Sequence, residues 1–129
     1  MKTMFRGLLA GAVMLAGTFG ALASPEGYWV SASGESAYSV AMCGDGTAIC
    51  VTLAWLKDDP VNAKSWPYLG KQLISNARQS RRNEWRGAID YFGDRLGGTI
   101  KQISADQIEI SGCKFVFCKS FMLNRGEPK

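Results

Sequence analysis

The chain reads as all-β, a small antiparallel barrel or sandwich, on three observations. Its four cysteines form two closely spaced pairs, Cys43 with Cys50 and Cys113 with Cys118, each lying where two strand-like segments meet. The flanking segments alternate large apolar residues with small or polar ones, the period of a half-buried strand. Short turns rich in Gly and Asp join many such segments, the pattern of small closed or sandwiched β architectures.

The first residues set the compartment. Lys2 and Arg6 precede an apolar stretch from Gly7 through Leu22, which closes with Ala21-Leu22-Ala23 before Ser24. This is the three-part pattern of a secretory signal peptide. The stretch is rich in Gly and Ala and falls short of the roughly 20 apolar residues that span a bilayer, so cleavage after Ala23 is expected rather than retention as an anchor. The expected organisation is a signal peptide over 1–23 and a single domain over 24–129. With no cysteine near the cleavage site to accept a lipid, the mature chain is expected to be soluble, periplasmic or secreted, without stable membrane insertion and monomeric. At roughly 100 residues it has the size at which one core suffices and covalent staples help.

Two cations and no acids leave with the signal, so the net charge falls from +4 to +2. That balance is too weak for a nucleic-acid binder. A local group of cations remains, Arg78, Arg81, Arg82, Arg86 and Arg95. Such a group can face anionic head groups, but phosphate binders carry a denser basic footprint, and a solvated loop and strand face is the expectation.

Four cysteines in an oxidising compartment imply disulfides, and four allow three connectivities. The local connectivity can be tested against flanking residues, because an antiparallel pair sets opposite residues face to face with period two. With Cys43 opposite Cys50, Met42 meets Val51, Val40 meets Leu53 and Tyr38 meets Trp55, while the other face carries only Ala41, Thr52, Ser39 and Ala54. With Cys113 opposite Cys118, Ile110 meets Phe121 and Ile108 meets Leu123, and Ser111 with Ser120 and Gln107 with Asn124 fall on the other side. Both segments sort large from small, as a correct register should. A four-thiolate zinc site is disfavoured because the chain has no C-x-x-C knuckle and no histidine. The missing motif also speaks against a redox role.

Gly27–Ser33 is a weak strand candidate, and Lys57–Pro67 is a polar surface loop. Leu69, Leu73, Ile74 and Ala77 have helical spacing, so Leu69–Gln79 is either a short helix or a strand with a bent end. Glu84–Tyr91 alternates cleanly, with Trp85, Gly87, Ile89 and Tyr91 on one face and Glu84, Arg86, Ala88 and Asp90 on the other. Gly98–Ser104 is a second weak strand, followed by an Ala105-Asp106 turn into the final hairpin.

These residues carry a family resemblance. The chain resembles the exported bacterial domain-of-unknown-function family 2147 in Gly27-Tyr28-Trp29, the Cys43–Cys50 hairpin with Ala54-Trp55-Leu56, Asn62-Ala63-Lys64, Pro67-Tyr68-Leu69-Gly70 and Trp85-Arg86-Gly87. The closing Gly112-Cys113, Cys118-Lys119-Ser120 and Arg125 extend the resemblance over essentially the whole mature chain. Val51, the run Asp90–Gly98 and Leu123 depart from the family pattern, which makes it a divergent member. The resemblance implies a compact calycin-like barrel, of the lipocalin or streptavidin kind, in the cell envelope. It implies no activity.

The chain lacks histidine, the commonest general base and metal ligand. Glu84, Asp90, Asp94 and Glu109 are the candidates for a two-carboxylate hydrolase, which needs a pair ~5 to 10 Å apart across a cleft. Asp58-Asp59 with Asn62 lacks the central Gly and late Glu of an EF-hand calcium loop. Neither catalysis nor a cofactor or metal is therefore expected. The positive indication is aromatic: Tyr38, Trp55, Trp85 and Tyr91 fall on the large-residue faces of their strands. There they either fill the barrel or line a cavity for a small hydrophobic or lipid-like ligand. An envelope protein acting through its surface is the alternative.

Overall fold

The computed structural model describes residues 23–128, so the expected signal peptide, apart from Ala23, lies outside the described residues. Eight strands follow one another: β1 (Gly27–Ser31), β2 (Ser36–Cys43), β3 (Ala48–Leu56), β4 (Gln72–Arg81), β5 (Glu84–Tyr91), β6 (Asp94–Ser104), β7 (Gln107–Lys114) and β8 (Phe117–Arg125). Each pairs antiparallel with the next, and β8 returns to β1 through Trp29 opposite Arg125 and Val30 opposite Asn124. The result is a closed barrel, which leaves no unpaired sheet edge.

Because the strands alternate in direction, the connections fall at two ends. The β1–β2, β3–β4, β5–β6 and β7–β8 connections share one end, called here the open end. The β2–β3, β4–β5 and β6–β7 turns share the closed end with the segment that precedes β1.

The β7–β8 register is the expected one throughout, from Gln107 opposite Asn124 to Cys113 opposite Cys118. The β2–β3 register is not. Both disulfides have the expected local pairing, but Cys43 lies opposite Ala48, Cys50 opposite Ala41, Val40 opposite Val51 and Tyr38 opposite Leu53. The first bridge is therefore diagonal, with Cα atoms 6.0 Å apart, against 4.0 Å for the directly opposed second bridge. The turn sets this slide. Gly44 and Gly46 both take positive φ, and the Asp45 carboxylate accepts the amide and hydroxyl of Thr47 at 2.9 and 2.7 Å. That tight turn lets Ala48 and Ile49 add a rung that a Cys43–Cys50 rung would have left in the loop. A slide of two residues preserves the faces, so Tyr38, Val40 and Met42 still share a side with Val51 and Leu53.

Trp55 is the exception, and its expected face is corrected. The ladder shifts so that Tyr38 lies opposite Leu53 while Ala37 lies opposite Trp55, which leaves Ala54 as an extra residue in β3. Such a bulge reverses the alternation beyond it. Trp55 consequently lies with Ala37 on the outer face, and Leu56 turns in to pack with Leu53 and Leu73.

The ambiguous segment is strand β4, and its helical spacing has the same origin. Asn76 takes φ 54, and the pairing shifts between Ile74 and Arg78. Ile74 and Ala77, three residues apart, therefore both reach the core. The weak strand Gly98–Ser104 extends back to Asp94, because Phe92 and Gly93 at φ 50 and 98 form a two-residue turn with positive φ at both positions.

Candidate functional site

The two ends of the interior are filled differently. Towards the closed end, Trp29, Trp85, Ile49, Ile100 and Ile108 are buried and belong to one apolar cluster. Trp29 donates its indole N–H to the Pro25 carbonyl and Trp85 to that of Thr47, both at 2.8 Å, so each large ring is buried with its polar atom satisfied. Arg125 covers Trp29, its guanidinium 4.3 Å from the ring centroid. It also donates to the carbonyls of Ser24, Glu26 and Ala105 at 2.7, 2.8 and 2.7 Å, tying the segment before β1 across this end.

At the open end a cavity of about 230 Å³ remains. Its walls are Val51, Leu56, Leu73, Ile74, Ile89, Leu96, Ile110 and Leu123, and its mouth is set with Ser31, Ser33, Ser36, Asn62 and Ser65. A row of interior glycines helps shape it: Gly87, Gly98 and Gly112 lie opposite one another across β5, β6 and β7. The Ile89 side chain occupies the place a Cβ on Gly98 would need, and Leu96 Cδ1 would lie 2.9 Å from a Cβ on Gly112. Branched side chains thus fold across Gly98 and Gly112, while Gly87 lies against Ala77.

The β3–β4 connection partly roofs this end. It contains two single-turn 3-10 helices, Pro60–Asn62 and Trp66–Tyr68. Asp59 caps the first by accepting Val61 N–H at 3.0 Å. Asn62 is buried and donates to the Lys57 carbonyl at 2.9 Å and to the Glu35 carboxylate at 3.3 Å. Asp59 and Asn62 are therefore occupied in shaping the loop. Tyr68 meets Phe92 edge to face at 5.2 Å, so the connection and the β5–β6 turn brace each other.

Of the four aromatic residues singled out in the sequence, Tyr38 and Tyr91 line the cavity, while Trp85 is buried at the other end and Trp55 lies outside the barrel. Tyr38 accepts a hydrogen bond from Ser36 Oγ at 3.1 Å, and burial pushes its phenol above the usual tyrosine range, an effect the Ser36 bond partly opposes. It presents a neutral hydroxyl to the cavity. Tyr91 stacks on Phe121 with ring centroids 5.6 Å apart, and the Lys119 ammonium stands 5.6 Å from the Tyr91 ring centroid. All the residues lining the cavity are uncharged, and Lys119 brings a cation to its mouth. The sequence named Asn62 only as part of a calcium-loop pattern and a family motif, and the serines and Lys119 carried no signal because polar residues in turns and at strand ends interrupt the apolar period. Only the β7–β8 register, which sets Lys119 opposite the cavity-lining Gly112, could have pointed to the lysine.

The expected cationic group divides. Arg78 lies opposite Arg86, and Arg81 opposite Glu84, at the closed end, whereas Arg95 lies opposite Asp90 at the open end. Glu84, only 6% exposed, gathers the first set: Arg81, Arg86 and Lys101 stand 3.4, 3.6 and 3.9 Å from its oxygens, and Ser80 Oγ donates to it at 2.8 Å. The Ser80 bond first, then the three cations, hold this carboxyl below the usual range against the opposing effect of burial. The candidate carboxylates fall in two places: Glu84 and Glu109 flank Lys101 on neighbouring strands, and Asp90 and Asp94 flank the β5–β6 turn. Glu84 and Asp90 stand at opposite ends of β5, Asp90 caps the β5–β6 turn, Asp94 pairs with Lys114 at 3.2 Å, and Glu109 lies opposite Lys101. None of the four lines the cavity.

Comparison of the chain with protein-family models, with curated proteins and with solved structures returned no match.

Proposed function

We propose that the protein binds one small amphipathic molecule at the open end of the barrel, apolar body inward and polar head at the mouth, without transforming it. The observation that carries this is the cavity itself, about 230 Å³ with aliphatic walls and a mouth of hydroxyls and one amide. Ligand sites of drug size run to roughly 300–1,000 Å³, so this volume selects a small molecule or a short chain whose head stays outside. The mouth offers donors and acceptors at Ser31, Ser33, Ser36, Ser65 and Tyr38, and Lys119 adds a cation for a head that carries negative charge. Binding rather than hydrolysis is the reading because none of the candidate carboxylates lines the cavity. Two disulfides belong to an oxidising compartment. In this proposal the chain, a divergent member of the family it resembles, acts as an exported monomer of the periplasm or the medium.

Native mass spectrometry of protein purified from the envelope of the producing cell tests the proposal. The expected spectrum shows a chain beginning at Ser24 and a fraction carrying one added mass, which Leu96→Trp abolishes by filling the cavity. A bare chain that takes up no member of a panel of short-chain alcohols, monoglycerides and fatty acids would reject the ligand. A product retaining residues 1–23 would reject the cleavage site instead.

A further inference from the structure

Phe115, Val116 and Phe117, at the tip of the β7–β8 hairpin, are 90, 86 and 78% exposed. Three consecutive large apolar side chains in water form a patch that calls for a covering partner. The tip is held in place from below. Lys114 lies opposite Phe117, Cys113 is bonded to Cys118, and the Ser111 and Ser120 hydroxyls meet at 3.0 Å two residues further down. The second disulfide thus fixes an apolar projection that adds nothing to the core.

The tip stands at the open end, and Val61, Trp66 and Leu69 of the β3–β4 connection are exposed at that end too. Elsewhere on the described barrel, Tyr28, Ile103 and the cavity-lining Phe121 are the large apolar side chains in water. Lysines flank both apolar groups: Lys114 and Lys119 beside the tip, Lys64 and Lys71 beside Trp66 and Leu69. Lys114 is shared with Asp94, while Lys119 leans on the Tyr91 ring.

We propose that the open end docks on the surface of a lipid bilayer, with Phe115, Val116 and Phe117 among the acyl chains and Lys114 and Lys119 at the head groups. The tip by itself is too small for a stable protein partner or a second copy. A stable protein interface covers about 800 Å² per side with matched packing, and side chains offering at most ~150–250 Å² each cannot reach it on one narrow turn. A bilayer asks only for apolar area and nearby cations whose stems reach along it. Because acids such as Asp94, Asp58, Asp59 and Glu35 share this end, apolar insertion is the main drive and anionic lipid a secondary one. The docking does not depend on the cavity holding a ligand. If both readings hold, the cavity mouth faces the membrane.

Vesicle flotation of the exported, disulfide-intact chain tests this, using phosphatidylcholine alone and phosphatidylcholine mixed with phosphatidylglycerol. The wild type is expected to float with both, and more strongly with the anionic mixture. The double variant Phe115→Ser, Phe117→Ser is expected to lose at least ~tenfold in partitioning with an unchanged melting point, since both side chains are exposed. Phe115→Trp should shift to the blue on vesicles and be quenched by lipids brominated in the acyl chain. A wild type that floats with neither composition overturns the proposal, as does equal binding by the double variant, or binding to anionic vesicles alone that salt abolishes. A dimer in sedimentation that the double variant dissolves would assign the tip to a second copy and overturn it as well. None of these outcomes bears on ligand uptake, which native mass spectrometry reads separately.

Discussion

The closed and open ends of this barrel are built on the same eight strands, yet one is packed and the other hollow. At the closed end Trp29 and Trp85 fill the width of the barrel, their indole N–H groups are satisfied, and Arg125 ties a covering segment across the first of them. At the open end the interior residues shrink to aliphatic side chains and glycines, tyrosines stand at the walls, and loops rather than rings form the cover. In a barrel of eight strands the interior is only just wide enough for its own side chains or one small ligand. The size of a few residues therefore decides which outcome each end reaches, and stability and binding can reside at opposite ends of one core.

Truncating one aromatic residue at each end should separate the two most strongly. Trp85→Ala is expected to cost about 3 to 5 kcal/mol, read by urea unfolding, because it opens a cavity in a packed region and orphans the Thr47 carbonyl. Tyr91→Ala, at a wall already facing empty space, should cost clearly less while weakening ligand uptake. Equal losses would remove the distinction.

Next in size are the staples, one at each end. Replacing Cys43 and Cys50 together by Ser, or Cys113 and Cys118, should leave a folded barrel less stable by ~2 to 3 kcal/mol on the chain-entropy argument. The second replacement should also loosen the Phe115–Phe117 tip, visible as faster amide exchange there. A chain that fails to fold without either bridge would show that the ladders alone do not hold the barrel.

The smallest expected effect sharpens the closed end. The Glu84 carboxyl titrates below its ordinary value near 4.5, so its contribution is present above that pH and is lost as the pH falls through the lower, folded value. Thermal melts between neutral pH and pH 3 should show this loss in the wild type and a shallower one in Glu84→Gln. Identical pH profiles would mean that the Ser80, Arg81, Arg86 and Lys101 contacts carry no net stabilisation.

Much of the packed end was legible in the sequence. Trp85 and Ile108 announce their burial by period two, as Ile89 and Leu123 do at the cavity wall, and the two cysteine pairs announce their hairpins. What escaped has one physical cause: a bulge or a tight turn changes register without changing composition. The extra residue at Ala54 turned Trp55 outward, the left-handed Asn76 gave β4 a helical spacing, and the Gly44–Thr47 turn slid the first ladder by two residues. The open end is made of such places, together with loop serines and Asn62. Its mouth was therefore not legible, although Tyr38 and Tyr91 at its walls were.

A methyl-resolved NMR titration with a medium-chain alcohol such as decanol tests most directly whether the two ends differ in this way. The expected result is a saturable shift at the methyls of Leu56, Ile74, Ile89, Leu96, Ile110 and Leu123, with those of Ile49, Ile100 and Ile108 unmoved. Shifts spread evenly over both groups, or no shift at any methyl, would contradict the account.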